Sequence, residues 1–391
     1  MQQQPDTERT ARRWDGFGQT IFAEITALAI EHEAINLGQG TPGFDGPGFV
    51  KRAAVAAIER GHNQYARMLG IPELSSAIAT RFADASGLAV DPDAHVTVTA
   101  GCTEALAATF LGLVEPGDEV VLVEPFYDAY PAGVALAGAT ARYVTLRPPR
   151  FRLDETGIGD VVGPKTRAIV LNTPHNPVGR VFDDAELAHV ADIARSHDLL
   201  VFADEVYEHI VFDGVHRSIA SLPGMWEQTV TLSSLGKTFS LTGWKIGWAI
   251  APAPLTAGVR AAHQFLTFAV ATPLQHGAAA ALAAPADYFV DLAESYRNKR
   301  DLLAEGLGAA GFDVFVPEGT YFILADHRPF GFPNDVAFAR HLTAEIGVAA
   351  IPPSAFYHRP EDGAALIRFA FCKPEDDLRE AVRRLGELRR P

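Results

Sequence analysis

The sequence predicts an α/β fold built on a mainly parallel β-sheet with helices on both faces. Short β-branched and apolar runs alternate with longer segments of helical periodicity, which is typical of βαβ units. Asp183 and Glu186 have the spacing of a capping box at the start of one helical segment. The length of 391 residues is enough for about two domains.

The predicted elements follow one another in a regular order. A strand in "HVTVTA" from His95 precedes a helix in "CTEALAATFLGLV" and a strand in "EVVLV" from Glu119. The order recurs with "RAIVLN" from Arg167, a helix in "DDAELAHVADIARSHD" and a strand in "LLVFA" from Leu199. A last strand, "TVTL" from Thr229, leads into "SSLGK". Ligands of such sheets gather at the carboxyl ends of the strands.

Composition limits the class of protein. Hydrophobic residues make up 48% and charged residues 21% of the chain, as in ordinary globular proteins. The net charge of −15 argues against a nucleic-acid or anionic-membrane surface, because both require clustered Lys and Arg. Cys102 and Cys372 lack metal-ligand spacing and are too few for a disulfide framework, so we expect no metal site and a cytoplasmic location. No apolar run is long enough to span a membrane.

Polar residues and glycine follow the predicted strands at one edge of the sheet. Gly101, Cys102 and Thr103 open a helix directly after the first strand, and free N–H groups at such a position suit a phosphate. A plain turn is the alternative interpretation. The side chains that follow the other strands are Asn176, Asp204, Tyr207 and Lys237.

Each of these side chains also has a purely structural interpretation. Asn176 could satisfy its own backbone in a turn, Asp204 could cap a following helix, and Lys237 could be a solvated loop lysine. Their joint order along the chain favours a functional site instead.

The segment "SSLGKTFSLTGWKIGW" from Ser233 contains two lysines in a chain with few of them. Arginines cannot normally lose a proton and so cannot serve as amine nucleophiles. Few residues could therefore carry amine chemistry. The lysines are Lys51, Lys165, Lys237, Lys245, Lys299 and Lys373.

Motifs in a fixed order resemble those of a known family. They are "INLGQGTPGFDGP", "NQYARMLG", "VEPFYDAY", "LNTPHNPVGRVF", "ADEVYEHIVFD", "SSLGKTFSLTGWKIGW", "EGTYFILAD" and "IRFAF". The sequence resembles a fold-type I, pyridoxal-phosphate-dependent aminotransferase of class I/II. It is similar in particular to the branch with kynurenine aminotransferase/glutamine transaminase K and actinobacterial N-succinyldiaminopimelate aminotransferase-like enzymes.

The resemblance implies roles for the residues at the sheet edge. Lys237 would hold pyridoxal 5'-phosphate as a Schiff base and move the proton of the reaction. Lys245 would bind the phosphate, and we expect its charge to lower the pKa of Lys237. Asp204 would pair with the ring nitrogen, and Tyr207 with the phenolic oxygen. The other implied cofactor contacts are Asn176, Ser234, Gly101, Cys102, Thr103, Phe126 stacked on the ring, and Tyr65 of the partner subunit.

The resemblance also implies a substrate site. Arg368 lies in the alternating strand "ALIRFAF", where an unpaired arginine would be costly. Its partner would be the substrate α-carboxylate, with Asn176 and Gly38 assisting; a structural salt bridge is the alternative. Aromatic candidates for the side-chain pocket favour an aromatic, aliphatic or neutral polar substrate over a dicarboxylic one. They are Phe22, Tyr65, Phe126 and Phe356, with core packing as the alternative for Phe126.

The predicted function is a ping-pong transamination from an L-amino acid to a 2-oxo acid. One alternative is an N-succinyldiaminopimelate or other specialised biosynthetic aminotransferase, in which Arg67 would receive the distal carboxylate unless it is simply solvated. Another alternative is a cysteine-conjugate C–S β-lyase. A cofactor-binding regulator is disfavoured, because such regulators carry an N-terminal DNA-binding module and only about a dozen residues precede the region of resemblance, which begins at about Arg13.

The resemblance implies two domains and a homodimer with active sites at its interface. Residues 45–285 would form the large cofactor-binding domain. Residues 1–44 and 286–391 would form a smaller α+β domain that closes on substrate. The Gly/Pro-rich stretch "GQGTPGFDGPGF" lies near the first boundary.

Overall fold

The computed structural model describes residues 11–18 and 20–389, so parts of the predicted small domain, residues 1–10, 19, 390 and 391, lie outside it. The strands are β1 (Ile35–Asn36), β2 (Val96–Thr99), β3 (Glu119–Glu124), β4 (Thr140–Thr145), β5 (Thr166–Asn172), β6 (Leu200–Asp204), β7 (Thr229–Ser234), β8 (Gly247–Ile250), β9 (Asp313–Phe315), β10 (Phe322–Asp326), β11 (Val348–Ala349) and β12 (Leu366–Ala370). The helices are α1 (Ile21–Glu31), α2 (Gly48–Glu59), α3 (Pro72–Ser86), α4 (Pro92–His95), α5 (Gly101–Leu113), α6 (Ala129–Ala137), α7 (Asp184–Ser196), α8 (Leu235–Thr238), α9 (Ala253–Leu266), α10 (Thr272–Leu282), α11 (Ala286–Ala310), α12 (Asp335–His341) and α13 (Glu375–Leu385). Within the described residues, no helix is both long and apolar enough to cross a membrane.

The core of the molecule is a 7-stranded sheet in the order β2-β8-β7-β6-β5-β3-β4. All neighbours in it are parallel except β8, which is antiparallel to β2 and to β7. Helices α5, α6 and α9 pack on one face, and α3, α7 and α10 pack on the other. The predicted α/β fold with a mainly parallel, doubly covered sheet is confirmed.

The local signals in the sequence correspond to real element boundaries. The capping box at α7 is present: the Glu186 N–H donates to the Asp183 carboxylate, and the Asp183 N–H donates to the Glu186 carboxylate. The apolar face of α7 then buries Leu187 and Val190 against the sheet. Helix α5 begins at Gly101, soon after the end of β2, as the sequence predicts.

The C-terminal part of the chain forms two smaller sheets. Strands β12, β10 and β9 make a 3-stranded antiparallel sheet. The short β1 near the N-terminus pairs in parallel with β11. All residues of β12 are buried, so this strand holds Arg368 inside the protein.

Candidate active site

A cavity of about 170 Å³ opens at the carboxyl edge of the large sheet. It lies where α5, α8 and the turns after β5 and β6 converge, as expected for ligands of parallel sheets. Most of the predicted cofactor residues line it: Gly101, Cys102, Thr103, Asn176, Asp204, Tyr207, Ser234, Lys237 and Lys245.

The start of α5 is shaped by two glycines. Gly101 has φ +78°, in the region that favours glycine, and a Cβ there would stand 3.3 Å from the Lys245 ammonium. A Cβ on Gly247 would lie 2.5 Å from the Gly101 carbonyl carbon. Glycine at both positions therefore lets β8, Lys245 and the first turn of α5 lie close together. This first turn carries N–H groups without intrahelical partners, which favour an anion.

Lys237 lies on the short α8, with its ammonium 5.8 Å and 5.9 Å from the ring centroids of Tyr207 and Tyr321. Burial lowers the pKa of Lys237, and the charge of Arg368 adds to this effect. The predicted direction is correct, but Lys245 is not among the main causes. Burial, a three-dimensional property, is the largest cause of the lowered pKa, and the effect of Lys245 stays a prediction.

Asp204 ends β6 and is only 3% exposed. Its Oδ2 accepts a hydrogen bond of 2.8 Å from the Tyr130 hydroxyl, and its Oδ1 accepts one of 3.3 Å from the Val206 N–H. Burial raises the pKa of Asp204, whereas these bonds and the charge of Lys237 oppose the rise. A turn rather than a helix follows Asp204, so the helix-cap alternative is not realised.

Asn176 is held by a second asparagine, Asn172. The Asn172 side chain donates to the Asp204 carbonyl at 2.9 Å and accepts from the Asn176 N–H at 2.7 Å. The Oδ1 of Asn176 is buried and has no hydrogen-bond partner among the described residues. The Asn176 side chain is therefore available to a ligand in the cavity, and the turn interpretation does not account for it.

Arg368 lies at the centre of the predicted substrate residues. One of its amino groups donates to the Gly38 carbonyl at 2.8 Å, and its guanidinium carbon is 5.2 Å from the Phe22 ring and 5.0 Å from the Phe356 ring. Its Nε is buried and unpartnered within the described part of the chain. The charge of Asp128 acts on Arg368, but no carboxylate of the described residues forms an ion pair with it. The structural salt bridge is therefore not formed.

Burial lowers the pKa of Arg368 to about 10, so the group stays charged at neutral pH. A buried cation of this kind requires an anionic partner to offset its desolvation. The N–H of Gly38 donates to Asn36. Gly38 thus contacts Arg368 through its carbonyl, and its direct contact with substrate stays a prediction.

The substrate residues just described do not line the cavity, and neither do three other predicted residues. Phe126 packs in the core with its ring 5.8 Å from that of Tyr143, and its neighbour Tyr127 lines the cavity. Tyr65 is 85% exposed. Arg67 forms an ion pair with Asp93 at 3.1 Å. Their predicted roles remain predictions.

Sequence reasoning did not identify Tyr130, Asn172, Tyr127 or Thr242, although each lines the cavity. Tyr127 and Tyr130 were within the quoted motif "VEPFYDAY", and Asn172 ended a predicted strand. The signals that could have identified two of these residues were the position of Tyr130 within a quoted motif and the position of Asn172 at the end of a parallel strand.

Comparison with known proteins shows the family to which the chain belongs. A family model described as "Aminotransferase class I and II" matches residues 32–385. The chain belongs to the class I and II aminotransferases. Their activity depends on pyridoxal phosphate and uses amino acids and 2-oxo acids as substrates, and the predicted enzyme class and cofactor are confirmed.

Similar aminotransferases cover nearly the whole chain. The "Probable N-succinyldiaminopimelate aminotransferase" of Mycobacterium tuberculosis is 47% identical, covering 97% of this chain and 98% of its own. A structure of N-succinyldiaminopimelate aminotransferase from that organism matches with a TM-score of 0.95, covering 97% of this chain and 100% of the other. The methionine aminotransferase of Escherichia coli is 42% identical over 95% and 96% of the two chains. Kynurenine–oxoglutarate transaminase 1 of Rattus norvegicus is 36% identical over 97% and 98%.

The residues of the cavity fit pyridoxal phosphate. The glycine-lined start of α5 with Lys245 suits a phosphate. The buried, unpartnered Asn176 oxygen suits a polar group on a ring. The Ser234 hydroxyl does not cap α8 and is free to bind a ligand.

Proposed function

We propose that the aminotransferase holds its cofactor at three points of the cavity. The first turn of α5, Ser234 and Lys245 would bind the phosphate. Asp204 would hold the proton on the ring nitrogen, and Tyr207 with Asn176 would hydrogen-bond the phenolic oxygen. The convergence of these side chains on one cavity supports the assignment.

Lys237 would carry the chemical step. Bound pyridoxal phosphate supplies a carbonyl carbon that links to amines and a ring that accepts electrons from the substrate. The lowered pKa of Lys237 keeps a larger fraction of its Nζ unprotonated, so that it can attack a carbonyl and take the proton from the substrate Cα. Arg368 would hold the substrate α-carboxylate while this proton moves.

The substrate proposal rests on the side chains that surround Arg368. Its guanidinium lies among the rings of Phe22, Phe322 and Phe356. The cations that line the cavity are Lys237 and Lys245, and both already have cofactor roles in this proposal. A substrate with one carboxylate and an aromatic, aliphatic or neutral polar side chain therefore fits better than a dicarboxylic one.

N-succinyl-L,L-diaminopimelate is the second candidate donor, favoured by the similarity to the Mycobacterium tuberculosis enzyme. Its distal carboxylate would require another cation. Arg67 is the candidate for this role, but it would have to leave Asp93. Unchanged turnover of this substrate by Arg67→Ala would rule out Arg67.

We further propose a cytoplasmic homodimer whose protomers have the two domains 45–285 and 1–44 with 286–391. An exposed apolar group that includes Tyr65 and Phe268, whose rings are 5.6 Å apart, supports an interface at this face. The pairing of β1 with β11 supports the union of the N-terminal segment with the C-terminal part. Two free cysteines are consistent with a reducing compartment.

The decisive experiment adds single amino acids to the purified holoenzyme and follows its visible absorbance. Bleaching by neutral L-amino acids, reversed by a 2-oxo acid, is the expected result, with weaker bleaching by aspartate and glutamate. Preferential bleaching by dicarboxylic donors would contradict the proposed pocket. Pyruvate and ammonia from a cysteine conjugate without added oxo acid would identify β-lyase activity.

The role of Lys237 is tested separately. Lys237→Ala should lower kcat by roughly 10²–10⁴-fold, the range for loss of a positioned acid–base group. Lys165→Ala, which changes an exposed lysine, is the matched control and should keep full activity. Equal activity of the two variants would refute the assignment.

A further inference from the structure

A second cavity, of about 60 Å³, lies behind the ends of β6 and β7. Apolar side chains of α3, β8 and α10 enclose part of it, and its polar lining includes Glu205, Glu208, His216, Ser218 and Thr231. A water molecule needs roughly 10–15 Å³ of such volume. The cavity therefore has room for several water molecules.

Four polar atoms of this cavity are buried without a hydrogen-bond partner among the described residues. They are Glu205 Oε1, His216 Nδ1, Ser218 Oγ and Thr231 Oγ1. Glu205 and Thr231 are each only 1% exposed. Such atoms are costly to bury unsatisfied, and a small polar cavity normally supplies them with water.

The same cavity contains a cluster of acid–base groups. Glu205 Oε2 lies 3.2 Å from His216 Nε2, and Glu208 Oε1 accepts a hydrogen bond of 2.9 Å from the Ser233 hydroxyl. The Glu208 side chain is 23% exposed, which gives it access to solvent protons. The other charged or titratable groups that face Glu208 are Arg81 from α3 and His209.

These neighbours place the titration of Glu208 near neutrality. Burial and the charge of Glu205 raise the pKa of Glu208 to about 7, although His216, Ser233 and Arg81 oppose the rise. Burial lowers the pKa of His209 to about 3, so that it stays neutral. Burial also opposes protonation of His216, but Glu205 and Glu208 together outweigh it and raise the pKa of His216.

The cluster is connected directly to the candidate active site. Glu205 follows Asp204 in the chain, and its N–H donates to the Leu232 carbonyl of β7 at 2.8 Å. Ser233, the hydrogen-bond donor to Glu208, precedes Ser234, which lines the first cavity. One hydrogen bond and one peptide unit thus separate the Glu208 carboxyl from the residue proposed to bind phosphate.

We propose that Glu205, Glu208 and His216 form a hydrated, proton-binding site behind the cofactor, and that ionisation of Glu208 weakens the hold on the cofactor phosphate. The second part rests on the proposed position of the phosphate at Ser234 and Lys245. The weakening would be caused by repulsion between the Glu208 carboxylate and an anion bound on the other side of the end of β7. By linkage, cofactor binding is accompanied by proton uptake at Glu208.

The test measures the rate at which the holoenzyme releases its cofactor on dilution, followed by visible absorbance between about pH 6 and pH 8. Release from the natural protein should become about two- to five-fold faster across this range. This pH-dependent rise in the release rate, called the release step below, should be absent in Glu208→Gln. Glu186→Gln is the control, since Glu186 is fully buried but its hydrogen bonds run to Leu153 and Arg180, which do not line the second cavity.

Ser233→Ala provides a second variant should Glu208→Gln fail to fold. The Ser233 hydrogen bond lowers the pKa of Glu208, so its loss should move the release step to higher pH. An unchanged pH profile in either variant, or a lost release step in the Glu186 control, overturns the proposal.

Two further measurements separate this proposal from the phosphate assignment on which it rests. The infrared band of protonated carboxylic acids should lose intensity as pH rises through about 7, and Glu208→Gln should abolish this change. A band that does not titrate there overturns the proton-binding site. Ser234→Ala should accelerate release at every pH; unchanged release would refute the phosphate assignment while the infrared result still decides the proton-binding site.

Discussion

The hydroxyl of Tyr130 donates a hydrogen bond of 2.8 Å to Oδ2 of Asp204, and this bond joins α6 to the end of β6 across the cavity. A hydrogen bond to the ionised form of an acid favours that form. It opposes the rise in the pKa of Asp204 that burial causes. Tyr130 therefore helps to keep Asp204 in the charged state that its proposed role at the ring nitrogen requires.

Tyr130→Phe should impair catalysis while leaving the fold intact. Without the hydroxyl, the pKa of Asp204 should rise further, and its proposed ion pair with a protonated ring should weaken. We expect kcat to fall about tenfold, the equivalent of one hydrogen bond to a charged group. Steady-state kinetics at several pH values measures this effect. Tyr143→Phe is the control, because Tyr143 stacks on His358 outside the cavity lining; an equal loss in both variants would argue against a specific role.

The sequence predicted those parts of the site that are encoded locally. Asp204, Tyr207 and Lys237 follow the ends of predicted strands, so their convergence was expected from the parallel sheet, whereas Ser234 and Lys245 were assigned through the family resemblance. Tyr130 could not be assigned in the same way, because its contact with Asp204 joins residues 74 positions apart. The cause of the lowered pKa of Lys237 was also beyond sequence reasoning, because it depends on burial and on Arg368.

Arg368→Gln should specifically weaken recognition of the substrate carboxylate. The buried guanidinium has an unpartnered Nε and no ion pair within the described chain, so a bound carboxylate is its expected partner. Loss of a charge-assisted pair should raise KM by roughly 10²-fold for amino acids. The preference for an amino acid over the amine that lacks the carboxylate should also disappear. Arg67→Gln, at the exposed ion pair with Asp93, should retain this preference; its loss there would contradict the assignment.

His175 should make the protein less stable in mild acid. Burial lowers the pKa of His175 to about 3, and the residue is 1% exposed. The unfolded chain takes up this proton near pH 6.5 and the folded protein does not. Stability is therefore full above about pH 6.5 and falls as pH drops towards 3, by up to about 1.4 kcal/mol per pH unit. His175→Gln should remove this part of the slope in urea unfolding at several pH values, whereas exposed His32→Gln should keep it. An unchanged slope in His175→Gln would show that the imidazole is protonated in the folded state.

Substitution of the exposed apolar face should separate assembly from folding. Phe265 is 86% exposed and Tyr65 is 85% exposed, and the Tyr65 ring contacts that of Phe268. Large aromatic side chains exposed together indicate a protein–protein interface. Phe265→Asp should therefore shift the protein from dimer to monomer in light scattering, because a carboxylate at an interface core loses its hydration. The control is Val316→Asp, at a 58% exposed valine between β9 and β10, and it should leave the dimer intact. In the proposed dimer, the partner subunit's Tyr65 would reach the cofactor phosphate, so the monomer should also release its cofactor faster. A monomer that retains the cofactor as tightly as the dimer would contradict this role of Tyr65.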